Sequence, residues 1–146
     1  MKRAACWLSL GACALAACGG DGVNGVGVMQ PPRAATFREV QDTVFTPSCA
    51  LAALGCHAGP APPLGMSLAD GDAYAAIVLQ PSIELAGFVR VAPGNATDSY
   101  LFMKITGDPR IAGSPMPLLG GPLSSEQVER VRSWIDAGAP DNGSRR

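Results

Sequence analysis

Residues 48–58 read Ser48-Cys-Ala-Leu-Ala-Ala-Leu-Gly-Cys-His-Ala58, which places Cys49 and Cys56 seven positions apart and His57 directly after the second cysteine. Ala50 to Leu54 is helix-prone. A straight helix would hold the two sulfurs about 10 Å apart along its axis, so bringing them together requires a break, and Gly55 is the residue that permits one. Whether the two thiols bond to each other, hold a cofactor or lie buried depends on the compartment and on whether residues downstream can complete a site.

The N-terminus speaks to the compartment. Lys2 and Arg3 precede an almost uncharged run through Trp7, Leu8, Leu10 and Leu15, a positive segment and an apolar segment in the order of an export signal. The run is shorter than the about 20 apolar residues that a permanent span requires. It ends in Leu15-Ala16-Ala17-Cys18, which resembles the lipobox of bacterial lipoproteins; Leu10-Gly11-Ala12-Cys13 is a poorer match. The resemblance implies cleavage before Cys18, acylation of its thiol and anchorage in the lipid bilayer. With Gly19 rather than Asp next in line, it also implies an outer-membrane lipoprotein facing the periplasm or the cell surface. Cys6 and Cys13 leave with such a signal, so only Cys49 and Cys56 remain as thiols in an oxidising compartment, where unpaired exposed thiols are unusual.

The expected organisation is a signal peptide over 1–17, a lipidated Gly-rich tether over 18–34, a folded domain over 35–140 and a disordered tail over 141–146. Of eleven Lys and Arg, nine lie beyond the signal, against twelve Asp and Glu, a formal charge of about −3. No basic run or aromatic ladder is present, which argues against a nucleic-acid partner.

Thr36 and Glu39 stand at capping-box spacing, and Phe37, Val40 and Val44 recur at helical spacing, predicting a helix over 37–45 that Pro47 stops. A second helix is expected through Ala73 to Val78, capped by Asp70 or Asp72 and ended at Gln80-Pro81. A third contains Tyr100 to Ile105, capped by Thr97, Asp98 or Ser99. Residues 88–91 alternate too briefly to make a sheet. The loop from Gly107 to Pro122 is rich in Gly and Pro, yet it lies inside the domain.

The last helix has the fullest set of signals. Ser124 and Gln127 form a capping box, Leu123 and Val128 occupy the staple positions, Val131 and Ile135 continue the apolar stripe with Trp134 beside it, and Gly138 fits C′. The fold class is therefore all-α: three to five short helices joined by long Pro- and Gly-rich loops. Outside the signal, the aromatics are Phe37, Phe45, Phe88, Phe102, Trp134, Tyr74 and Tyr100. That is a thin core, which a large apolar group in the middle would complete.

A c-type haem is attached by thioethers from two cysteines, and the histidine after the second ligates the iron. The usual spacing is Cys-x-x-Cys-His; here six residues separate the cysteines. The remaining signals resemble the class I cytochrome c family, most closely the cytochrome c-like domains of bacterial lipoproteins. The residues that carry the likeness are Val91-Ala92-Pro93-Gly94, Ser99-Tyr100-Leu101 with Lys104, Gly113-Ser114-Pro115-Met116-Pro117, and Leu123-Ser124 with Val131, Trp134-Ile135-Asp136 and Gly138-Ala139. They span residues 45 to 139, about two thirds of the chain.

The likeness implies haem c as cofactor, held by Cys49, Cys56, His57 and Met116, with His57 and Met116 as the iron ligands. It implies one-electron exchange with redox partner proteins, an electron carrier rather than an enzyme. A Pro-flanked loop suits a methionine ligand, because it restrains an otherwise flexible side chain. Met66 is a second loop methionine, and Met103 fits the core. Trp134 and Phe102 read as hydrophobic fillers and, second, as haem-edge contacts. Attachment through Cys56 alone is a variant. The alternative from another class is a haem-free helical binding or structural module of the cell envelope, stapled by a Cys49–Cys56 disulfide that contributes roughly 2–3 kcal/mol.

Overall fold

The computed structural model describes residues 33–143. The expected signal peptide, Cys18 and the tether through residue 32 lie outside the described residues, as do residues 144–146.

Four α-helices and no strands are described, and the all-α expectation holds at that level. Helix α1, Phe37–Val40, starts on the expected capping box: Glu39 N–H donates to Thr36 Oγ1 at 3.2 Å, and Thr36 N–H donates to Glu39 Oε2 at 2.8 Å. Pro47 does not end this segment. The chain runs on from α1 as a π-helix, Gln41–Cys49, with Pro47 inside it. The wider π turn removes the clash that a proline ring makes with the carbonyl four residues back in an α-helix. That carbonyl, Thr43 O, is then free of the α ladder and accepts Gln127 Nε2–H from the last helix at 2.9 Å.

A 3₁₀ turn at Ala52–Leu54 comes next, closed by Gly55 in the left-handed region at φ 70°. A second lies at Pro63–Gly65. Helix α2, Ala73–Ile77, begins where expected, but neither aspartate caps it. Asp72 accepts Ser67 Oγ–H at 3.0 Å, and Asp70 pairs with Arg38 at 2.8 Å. The helix stops one residue early because Val78 turns extended and forms an isolated bridge with Val91.

Helix α3, Tyr100–Thr106, starts after Ser99, whose hydroxyl braces the preceding turn instead of the helix end: it donates to Asn95 O and accepts from Ala92 N–H, both at 2.8 Å. Helix α4, Ser125–Asp136, has the expected capping box, and Gly138 takes the C′ position at φ 95°. Asn142, expected in the tail, accepts Phe37 N–H through Oδ1 at 2.7 Å and so belongs with the folded unit.

Helix α4 packs on α1, on its π continuation and on α3. Val131, Trp134 and Ile135 meet Phe37, Val40, Val44 and Phe45, all buried. Phe37 is the hub, with ring centroids 5.3 Å from Trp134, 5.2 Å from Tyr74 and 6.4 Å from Phe45. Met103 is buried as the helical spacing predicts. This core occupies the α1–α4 side of the unit, and the loops enclose a cavity on the other.

Candidate functional site

The cavity has a volume of about 540 Å³, within the roughly 300–1,000 Å³ typical of small-molecule and cofactor sites. Cys49, Cys56, His57 and Met116 all border it, so four side chains spread over 68 positions of sequence converge on one space. Among the described residues, five of the six exposed large hydrophobics, Leu54, Leu64, Ile83, Leu118 and Leu119, also line it. Exposed apolar side chains clustered around a cavity are the kind of patch that marks an interaction surface or a ligand groove. Trp134 and Phe102 do not border the cavity and serve as core residues.

Backbone geometry explains how the 49–57 segment folds into the wall. After the π-helix ends at Cys49 the chain doubles back through the 3₁₀ turn and Gly55, and His57 N–H donates to Cys49 O at 2.9 Å. That bond closes the six-residue insert into a loop, so both cysteines face one cavity despite their separation in sequence. The two thiols are not bonded to each other. Burial, with the neighbouring Cys56 adding to it, pushes the Cys49 thiol up to about 12, so it remains protonated at neutral pH.

His57 is fixed at three points. Besides its N–H bond to Cys49, its carbonyl accepts Leu68 N–H at 2.6 Å, and its ring Nδ1 lies 3.2 Å from Met66 O. A carbonyl can only accept, so this contact favours the tautomer with the proton on Nδ1. A backbone carbonyl behind the ring is the usual device that orients a metal-binding imidazole. Burial lowers the pKa of His57, with the Met66 and Pro63 carbonyls opposing it, and the neutral ring is favoured.

Met116 is brought to the cavity by α3. Its N–H donates to Lys104 O at 2.8 Å, and Ala112, at the start of the same loop segment, is bonded to Tyr100 and Lys104. Met66 also borders the cavity, and its carbonyl lies at the Nδ1 edge of His57.

Sequence reasoning did not foresee three parts of this wall. The Met66 carbonyl carries no residue-type signal. Glu84 and Arg90 line the cavity, Arg90 donating to Ala76 O at 2.7 Å and Leu64 O at 3.3 Å, and neither stood out in the sequence. Lys104 and Tyr100 stood in a recognisable segment, but their bonds to the methionine loop did not.

Among the described residues no group of three or more His, Cys, Asp or Glu converges. Among the same residues, no helix is long and apolar enough to cross a membrane. No protein-family model, no curated protein and no solved structure matches the chain.

Proposed function

We propose that the chain is a membrane-tethered, single-haem electron carrier with a cytochrome c-like fold, its haem c attached through Cys49 and Cys56 and its iron ligated by His57 and Met116. The observation that carries this reading is the convergence of those four side chains on one apolar-walled cavity. The residues fit the group: two thiols for thioethers, a neutral imidazole oriented by Met66 O, and a loop thioether. When bound, haem supplies a one-electron iron couple.

The chain's own residues do the rest. His57 and Met116 would both be ligands to the iron, and with both bound no coordination site would stand open to oxygen or peroxide, which favours electron transfer over catalysis. Leu54, Leu64, Ile83, Leu118 and Leu119 shield the group from water, and the cysteines make its retention permanent. Cys18 would tether the domain to the outer membrane, where redox partner proteins reach it.

The reading predicts the outcome of replacing Met116. Protein made with a cytochrome c maturation system shows a far-red sulfur-to-iron absorption band, and Met116→Ala removes it and lowers the reduction potential. A band and potential identical in the variant would exclude Met116 as ligand.

A further inference from the structure

Lys104 is a cation only 8% exposed, and burying an ammonium group is costly unless it is paired. Its Nζ donates to Ala112 O at 2.9 Å, stands 3.3 Å from Glu84 Oε2 and lies 5.9 Å from the Tyr100 ring centroid. Its own carbonyl accepts Met116 N–H at 2.8 Å. Tyr100, one turn earlier on α3, accepts Ala112 N–H through its hydroxyl at 3.1 Å. Both ends of the 112–116 segment are thus tied to one short helix: Ala112 at its N–H and its C=O, Met116 at its N–H.

Little else restrains this segment. Residues 112–115 are exposed and lie outside the core. Pro115 sits over Gly107, where an added Cβ would meet Pro115 Cγ at 3.6 Å in a backbone already at φ 70°. A loop held by hydrogen bonds in place of core packing depends on each of them, and the charge-assisted ones are the strongest.

Resting on the haem reading above, we propose that Lys104 is a positioning residue: neutralised by Glu84 and seated on Tyr100, it clamps Ala112 so that the Met116 sulfur is held over the cavity and resists displacement by other iron ligands. The probe is imidazole, which competes with a thioether for ferric iron. Full-length, haem-loaded wild type is compared with Lys104→Met, Glu84→Gln and Met116→Ala, reading the far-red sulfur-to-iron band and the imidazole dissociation constant.

Lys104→Met keeps an unbranched side chain, one atom shorter, and removes the ammonium charge and its hydrogen-bond donors. It should weaken the band and tighten imidazole binding about tenfold or more, the fold-change expected from losing a charge-assisted hydrogen bond. Glu84→Gln, at the exposed edge, leaves folding intact and should give a smaller change in the same direction, which keeps the test open if Lys104→Met does not fold. A residue that only stabilised the fold would lower the unfolding midpoint and leave imidazole affinity at the wild-type value. Unchanged band and affinity in the folded variants, with the band lost in Met116→Ala, overturn the clamp alone. A wild type that carries haem without the band overturns both the clamp and the methionine ligand.

Discussion

Glu39 accepts from Thr36 N–H at 2.8 Å and Thr36 Oγ1–H at 2.9 Å while pairing with Arg33 at 2.5 Å. Arg33 first, and then the Thr36 donors, hold its carboxyl at about 2, against an ordinary 4.5. A carboxylate with a depressed folded-state pKa contributes stability that is fully present above pH 4.5 and is lost as pH falls toward 2. Glu39→Gln preserves the capping geometry and removes the charge. The denaturation midpoint of the variant should fall less steeply between pH 4.5 and 2 than that of the wild type, by a small margin because both partners are solvent-exposed. Parallel curves would remove Glu39 from the acid response. The Thr36–Glu39 capping box was legible in the sequence because it spans three residues, as was the bend at Gly55; the Arg33 pair was not. The Met66 carbonyl behind His57 and the Lys104 bond to Ala112 were not, because each joins a backbone oxygen to a side chain across a loop whose path no local preference dictates.

The helices show the same division between local and long-range causes. Both capping boxes formed as their spacing required, and α4 ended before Gly138 as expected. Pro47 read as a stop and became part of a π-helix, whose wider turn tolerates the ring, and Gln127 reaches this segment from α4 by donating to Thr43 O. Gln127 therefore serves two elements: Oε1 accepts Ser124 N–H at 3.0 Å, and Nε2 reaches Thr43 O. Ser124→Ala should cost about 1 kcal/mol, the usual value of a lost N-cap. Gln127→Leu should cost more, roughly 1–3 kcal/mol, because it removes both the capping-box bond to Ser124 N–H and the Nε2–H bond to Thr43 O. Urea denaturation of both variants measures the difference. Equal losses would mean that the stitch between α4 and the π-helix contributes nothing. The caps expected on α2 and α3 did not form, since Asp70, Asp72 and Ser99 found other partners in the fold.

At the scale of the whole molecule, the small number of aromatics explains the asymmetry of the unit. Phe37, Phe45, Tyr74 and Trp134 suffice to build one side against α4, and the other side is left as a cavity edged by exposed leucines. The thin core raised the expectation of a large apolar guest, and the resemblance to the cytochrome c family, against the unusual cysteine spacing, put forward Cys49, Cys56, His57 and Met116 as its anchors; all four border the cavity. The shape of the cavity was not readable beforehand, because it is formed by Pro- and Gly-rich loops whose course is set by tertiary hydrogen bonds. The most direct test of the central claim is the intact mass of the full-length protein, made with a cytochrome c maturation system and measured after denaturation. The account predicts a mass that exceeds polypeptide plus lipid by one haem, with no thiol at position 49 or 56 open to alkylation. A mass without that addition, whether the two cysteines are free or have lost two hydrogens to a disulfide, would contradict it.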